Sequence, residues 1–590
     1  MKSSMMALYA LLLLPCFRAA AQDPGTAPPD TLEAEDRIGR VEEAEDLPVA
    51  ELLDAEPATR PPAVTLRSRL IGRTRDAEGY RDGTYAGSRL KSYHRMKLSP
   101  GDRFSAGILI EKDPGERRLN DFTAWHVALR SPGLFRTIVI GDFTVESGLG
   151  VGLWKGAALA KGPDIAGAVL RKARGIVPYL SSGESAFLRG AAVGLQAGNW
   201  SINSFVSRRF LDGSVNQDGT VTSLDAMGYF RTEAEESKRG TLGEGLFGAT
   251  IHFRDTPGGQ IGLTAYRAFF SRLLELNHGD RFRGDRSFLV SCDYRRSAGA
   301  WTLFGEWGYA NSDAGGSSGA ALRPAAGTEL VVSVRWYPYR FLSVHGNGFG
   351  ERAGMSNERG FYFALSVIPA RRMKLTAYAD LFRFPGGTRA QPFSSGGSER
   401  FLQAEGQLAE RCRLTLRYTC REEQAEGSAT NSYGLFVLEP WIAVRRSIRV
   451  NADYRAAGGM RFRGRWEWVL LSPDLSGRAE RGMMLLHELT AAPSAVLWWD
   501  FRVVIFRTSS YGARLYAYEP DLEGVTSVPV LYGEGIRWSC LVRYSLGRSL
   551  SLSVKYADHI RDDVIRIGTG AERLPGNHDA KVGLQLDLAL

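Results

Sequence analysis

Ten residues, RCRLTLRYTC (411–420), carry the main constraint on this chain. Arg411, Arg413, Thr415, Arg417 and Thr419 take the odd positions, and Cys412, Leu414, Leu416, Tyr418 and Cys420 the even ones. On a helix those arginines would scatter round the axis. On a strand successive side chains point to opposite faces, so the same letters give one basic face and one apolar face. Extended at about 3.4 Å per residue, the strand holds its two cysteines roughly 27 Å apart, whereas a disulfide needs Cα atoms within about 7 Å, so the two cannot pair with each other.

The alternation recurs along the chain. RMKLTAYADLF (372–382) opposes Met373, Leu375, Ala377, Ala379 and Leu381 to Lys374, Thr376, Tyr378 and Asp380. SIRVNADYR (447–455) opposes Ile448, Val450, Ala452 and Tyr454 to Arg449, Asn451, Asp453 and Arg455. MRFRGRWEW (460–468) opposes Met460, Phe462, Trp466 and Trp468 to Arg461, Arg463, Arg465 and Glu467, and SLSLSVKY (549–556) and KVGLQLDLAL (581–590) repeat the pattern. From residue 63 onward about two dozen such segments, each of about 9–12 residues, alternate with turn clusters such as Ser99-Pro100-Gly101-Asp102 and Thr256-Pro257-Gly258-Gly259.

Soluble all-β folds alternate too, so three details decide. The segments match the roughly 9–11 residues that a tilted strand needs to cross a bilayer. Aromatic residues gather near segment ends (Trp336, Tyr337 and Tyr339; Trp466 and Trp468; Trp498 and Trp499), as interfacial girdles require. One face of each segment is too charged for a soluble core, and the other too apolar for water. The expected fold is all-β: a large antiparallel transmembrane β-barrel of about 24 strands, within a range of about 22 to 26, over residues 63–590. A secreted propeller or solenoid would show blade-length repeats, and none is found. The longer connections 209–243, 271–283, 385–399, 421–430, 519–528 and 558–580 are the expected exterior loops.

The N-terminal stretch agrees with export. MKSSMMALYALLLLPCFRAAAQ has Lys2, an apolar core from Met5 to Phe17, and Ala19-Ala20-Ala21 before Gln22, the pattern of a secretory signal over 1–21. The apolar run is shorter than the roughly 20 residues of a spanning helix, and Pro15 stands where a lipoprotein signal carries a small residue before its cysteine. Residues 22–62 read as a largely disordered periplasmic segment, with room for one short helix near 47–55. Within it, 22–56 holds twelve acidic residues against Arg37 and Arg40, a net of −10. The whole chain is +9 and the signal contributes +2, so residues 57–590 carry +17. The acidic segment is available to a periplasmic partner.

Four cysteines remain beyond the signal (Cys292, Cys412, Cys420, Cys540), too few for a disulfide scaffold and in no zinc-ligand spacing. Neither a metal nor a cofactor is expected. No GxSxG is present, LLHELT (485–490) lacks the second histidine of a zinc protease, and EKDPGE (111–116) is a charged turn. The chain is therefore read as not an enzyme, although a Ser/His/Asp set assembled from separate strands at the rim would leave no local motif. Arginines at period two on separate strands describe a charged lumen rather than a nucleic-acid grip, and no nucleic-acid partner is expected. Arg411, Arg413, Arg417, Arg449, Arg455, Arg461, Arg463 and Arg465 are the candidate lumen-facing basic residues, with Asp453 and Glu467 as pairing neighbours.

One stretch breaks the pattern. Across GDFTVESGLGVGLWKGAALAKGPDIAGAVLRKARGIVPYLSSGESAFLRGAA (141–192) glycine is dense and the alternation lapses. A segment near 144–190 that folds into the lumen as a constriction or plug is one reading, with Arg171, Lys172 and Arg174 ending a short helix. An ordinary surface loop is the other. The glycines lack phosphate-loop spacing and precede no βαβ unit.

The same region carries a resemblance. YRDGTYAGSRLKSYHRMKLSPGDRFSAGILIEKDPGE (80–116), DFTAWHVAL (121–129), VIGDFTVESGLGVGLW (139–154) and RGIVPYLSSGESAFLRGAA (174–192) resemble a family of large outer-membrane barrels of Bacteroidetes and Chlorobi-type Gram-negative bacteria. The resemblance covers residues 63–210 and implies architecture and outer-membrane location. Many such relatives carry helix-hairpin-helix units before the barrel; residues 22–62 are too short and acidic for them. The resulting expectation is a porin-like or partly plugged channel in outer-membrane lipid, passing small and anion-favoured solutes. The alternative is a barrel that serves as scaffold or surface-binding component of an envelope complex. A TonB-dependent receptor is disfavoured, because no plug-sized domain of roughly 100–150 residues precedes the barrel. The final Leu590 stands where many bacterial barrels end in an aromatic residue.

Overall fold

The computed structural model describes residues 63–590, apart from 157–160, 256–257, 277–281, 353, 388–392, 431–435 and 474–477. The expected signal over 1–21, the acidic segment 22–62 and the short helix expected near 47–55 lie outside the described residues. Twenty-four strands close into one barrel, the number expected from the alternation. Val64–Arg73 pairs with Leu90–Leu98 on one side and with His578–Ala589 on the other, so the ring has no free edge. Every neighbouring pair around the ring is antiparallel. Two short strands, Gly175–Pro178 and Val221–Asp225, add to the sheet without joining the ring; the second makes a parallel bridge at Leu274.

Because strands alternate in direction, connections fall at two ends. The first end carries tight links (99–103, 198–199, 326–327, 410–411) and both termini of the barrel, where Val64 and Leu590 exchange backbone hydrogen bonds of 2.9 Å. The opposite end carries 74–89, 147–187, 216–241, 338–357, 509–533 and 562–577. Short turns face the periplasm in such barrels, which sets the second end outward.

The loop expectations need revision against this layout. Residues 421–430 belong to the strand Cys412–Thr430, which pairs along its length with Phe436–Arg455 and carries the barrel wall beyond the expected limit. The connection expected over 209–243 narrows to 216–241, because Trp200–Val215 runs on past the membrane. Likewise 385–399 narrows to 385–394 and 558–580 to 562–577, while 519–528 is part of the longer 509–533. In 271–283 the residues between strands lie outside the described set. The connection 338–357 was not among the expected exterior loops.

The two faces separate as period two requires. Leu416, Tyr418, Ile448, Phe462, Trp466, Trp468, Phe361, Phe363 and Leu381 are exposed on the outer face. Between them, Arg417, Arg449, Tyr362 and Asp380 point inward. Trp336 and Trp468 lie on the outer face toward strand ends as expected of a girdle, whereas Trp466 faces outward at mid-strand; Tyr337, one position on from Trp336, is inward and 1% exposed. The four cysteines are free thiols. A closed ring with satisfied backbone and an apolar outer belt is stable in hydrocarbon and not in water. The chain is an outer-membrane β-barrel of the Gram-negative kind.

Candidate functional site

Three of the outward connections turn back into the lumen. The first is the glycine-dense segment after the strand Phe135–Glu146. Glu306, on the strand Trp301–Ala310, is fully buried and faces inward. Its Oε2 accepts the backbone N–H of Leu149 at 2.6 Å and of Val151 at 3.0 Å. Its Oε1 accepts the N–H of Gly152 at 2.8 Å and the Ser291 hydroxyl at 2.9 Å. Consecutive N–H groups can converge on one carboxylate because Gly148 and Gly150 take positive φ of 56° and 91°. A Cβ on Gly148 would lie 2.5 Å from Glu306 Oε2. The glycine run does cradle an anion, and the anion is the protein's own side chain.

Farther along, Lys161 reaches three carboxylates on or near the wall: Glu351, Asp380 (3.1 Å) and Glu399 (2.7 Å). Tyr362 donates to the Ile165 carbonyl at 3.1 Å, and Ile165, Ala168 and Val169 pack among Phe304, Tyr362 and Tyr378 of the wall. The expected short helix is absent: residues 165–169 form only turns, closed by Leu170 N–H to the Ala166 carbonyl at 2.7 Å. Gly162, Pro163 and Gly167 disfavour a longer helix, and wall side chains take the place of helical partners.

The second inward loop is 338–357. Phe341, Leu342 and Met355 pack with Val151 and Leu153 of the first loop, so the two loops share a small apolar core inside the barrel. Arg171 is buried, donates to the Asn347 carbonyl, and sits over the Trp154 ring at 5.4 Å. Arg421 joins the wall to this loop, contacting Glu351 at 2.9 Å and Glu399 at 3.2 Å. Arg335, fully inside, holds Glu358 at 2.5 Å and Asp380 at 2.8 Å.

The third inward loop, 509–533, carries acids at every second position. Glu519 pairs with Arg537 (2.6 Å) and Lys555 (2.7 Å), Asp521 pairs with Lys555 (2.7 Å), and Glu523 pairs with Arg67 (2.5 Å). Arg445 donates to the carbonyls of Gly512 and Arg514 at 2.7 and 2.6 Å. Basic wall residues on this side are thus met by an acidic loop.

The candidate arginines fall into place around that frame. Arg413, Arg417, Arg449, Arg461, Arg463 and Arg465 are on the inner face. They do not form a uniform basic surface. Reading across strands at one level gives Gln407, Arg413, Asp453, Arg463, Glu488 and Arg502, in which the charges alternate in sign. Arg449 pairs with Glu467 at 2.8 Å, Arg461 with Asp453 at 2.5 Å, and Arg463 with Glu488 at 2.8 Å. Arg417 donates to Gln403 and Arg465 to Asn451. Arg411 sits in the tight periplasmic link and Arg455 at the end of its strand; with Arg413 and Arg461 they line a pocket of about 110 Å³ at the mouth, beside Glu410 and Asp453. Arg461 and Arg463 keep 24% and 28% of their side chains exposed, so this stretch of wall still meets water. Of the candidate plug residues, Arg171 is engaged as above, Arg174 forks onto Glu146 (Nε to Oε2, 2.9 Å), and Lys172 is exposed.

A Ser/His/Asp set does converge inside the barrel: Ser147, His252 and Asp293. Its geometry is not that of a proton relay. Ser147 (3.4 Å) and Asp293 (3.1 Å) both meet the same ring nitrogen, Nε2, and Ser147 is fully buried with its hydroxyl on Thr264 at 2.7 Å. At the exterior mouth the loops crowd carboxylates together. Burial, with Asp121 and Glu116 close by, pushes the Glu184 carboxyl up to about 9. Burial likewise pushes Glu116 up to about 7, against the N–H bonds it accepts.

No protein-family model and no curated protein matches the chain. Among solved structures, the siderophore receptor PirA from Acinetobacter baumannii is similar at 9% identity and a TM-score of 0.43, over 90% of this chain and 81% of that one. A mutant of the ferric enterobactin receptor PfeA from Pseudomonas aeruginosa matches at 10% and 0.44 over the same shares. The copper transporter OprC matches at 8% and 0.43, again over 90% and 81%. At such identities the likeness carries nothing about what this chain binds.

Proposed function

We propose that the barrel is a channel for small, preferentially anionic solutes whose exterior half is narrowed by its own inward loops. The observation that carries this reading is the division of the lumen wall. Its exterior half is tied to the loops 147–187, 338–357 and 509–533 through buried ion pairs, while the periplasmic half around Arg413, Arg461 and Arg463 stays open to water. At the mouth of that wall Arg411, Arg413, Arg455 and Arg461 stand against only Glu410 and Asp453, and excess positive charge there raises the local concentration of anions.

The test is conductance of the full chain in planar bilayers across a salt gradient. The expected result is a steady current with an anion-favouring reversal potential that moves toward cation preference in the Arg461→Glu, Arg463→Glu double variant. A reversal potential unmoved by the double variant would refute the selectivity. A folded barrel that stays silent, both as the full chain and with residues 161–174 removed, would refute conduction and leave the envelope scaffold as the reading.

A further inference from the structure

The outer face near the exterior rim carries an arrangement that the channel reading does not use. Strand register sets Trp336 opposite Arg359, and Arg359 opposite Arg383, so the three lie side by side at one level. Two residues nearer mid-barrel, about 7 Å lower, Phe361 and Leu381 face each other, exposed to 41% and 50%. The arginines therefore stand where the apolar belt ends, at the level of an interfacial tryptophan.

Like charges directly opposite on neighbouring strands repel. Arg359 and Arg383 carry no ion pair or side-chain hydrogen bond among the described residues; Arg359 only rests over the Trp336 ring at 5.9 Å. Arg400, outward-facing on the next strand but four residues nearer mid-barrel, shows the usual remedy, paired to Glu422 at 3.1 Å. On the next strand Arg383 faces Gly396, which has no side chain to fill the space. The result is an open groove of about 600 Å³ lined by Trp336, Arg359, Phe361, Leu381, Arg383 and Gly397.

We propose that this groove binds the phosphorylated headgroup of a lipid in the outer leaflet. Two guanidiniums side by side offer the forked donors that phosphate oxygens accept, and a bound phosphate removes their mutual repulsion. The apolar floor of Phe361, Phe363 and Leu381 then continues along the acyl chains, a complement that a free anion does not have. Arg359 and Arg383 are the phosphate-binding residues, Trp336 the stacking wall, and Phe361 the entry to the acyl track.

The test is native mass spectrometry of the full chain released from detergent with bisphosphorylated lipid A, its dephosphorylated form, or inorganic phosphate as probe. The expected result is one retained bisphosphorylated lipid per barrel and little of the dephosphorylated form. Arg359→Gln with Arg383→Gln lowers retention by about tenfold or more, as loss of charge-assisted bonds implies, while Arg400→Gln leaves it unchanged. Phe361→Ala, which keeps both arginines, also weakens the lipid and guards against a folding artefact in the double variant. Equal retention of both lipid forms, or retention indifferent to the two arginine changes, would overturn the site. Inorganic phosphate displacing the lipid at equal concentration would overturn its assignment to a lipid.

Discussion

Replacing Glu306 by Gln probes what holds the first loop inside the barrel. The carboxylate accepts three backbone N–H groups and one hydroxyl at 2.6–3.0 Å, and among the described residues no ion pair meets it. An amide keeps one oxygen for Leu149 and Val151, but its NH₂ then confronts the Gly152 N–H; Ser291 can turn and accept instead. Two bonds fall from charged to neutral strength, about 1 kcal/mol each, and one buried N–H goes unmet at about 1–3 kcal/mol. Against this, the neutral amide costs less to bury than the carboxylate, which offsets part of the loss. A net of about 2 kcal/mol remains, a shift of about thirtyfold in the equilibrium between seated and released loop. Hydrogen exchange in detergent reads it directly: protection at Leu149, Val151 and Gly152 falls about thirtyfold, while amides of the wall strand around Leu303 keep theirs. Unchanged protection at the three amides would refute the cradle. Equal loss throughout the strand would mean that Glu306 supports the wall and not the loop.

Glu519→Gln loosens the acidic loop's hold on Arg537 and Lys555, so single-channel conductance rises while the reversal potential keeps its sign; an unchanged conductance contradicts the tethering role. Gly150→Ala places a Cβ at 3.1 Å from the Asn347 carbonyl on a backbone at φ 91°, and faster proteolysis within 147–174 is the expected outcome in a pulse assay. Glu184 has its carboxyl raised from 4.5 to about 9 by burial, with Asp121 and Glu116 adding to it. The folded loop thus binds a proton that the unfolded chain has released, and its contribution is whole below about pH 4.5 and lost as pH rises through about 9. The thermal midpoint therefore falls between pH 5 and pH 9, and Glu184→Gln flattens that fall; an equal slope in the variant rules the group out.

The wall was legible because period two survives any register. Leu416 outside and Arg417 inside follow from adjacent letters alone, as does the strand count. The break at 141–192 was also visible, since glycine density and lost alternation mark a chain that leaves the sheet. What those glycines serve was not legible: the carboxylate they enclose sits at Glu306, about 155 residues along the chain, and nothing local to GLGVG names it. The loop 338–357 reads as ordinary punctuation between strands, and its burial arises only when Phe341 and Leu342 meet Val151 and Leu153. The alternating acids Glu519, Asp521 and Glu523 fell within an expected exterior loop, 519–528, with no sign that it turns inward. Their partners Arg67, Arg537 and Lys555 lie on three other strands, brought together by closure of the ring.

Closure also changes what the arginines mean. Summed along the sequence, the inward positions of residues 411–465 are basic, and a basic lumen was the natural expectation. Set side by side by register, Arg413, Asp453, Arg463 and Glu488 become an arc of alternating sign, in which each guanidinium lies between carboxylates or amides. Such a ladder holds neighbouring strands in register and contributes little net field. A net field survives only where the alternation fails, at the periplasmic rim, where Arg455 faces Arg461 and Arg411 lies beside them. Discrimination by charge therefore belongs to that mouth, whereas passage is governed at the other end, by loops that must break buried ion pairs to move. The two properties are carried by different residues, so Arg461→Glu with Arg463→Glu changes selectivity without freeing the loops, and Glu306→Gln frees the first loop without changing the sign of selectivity.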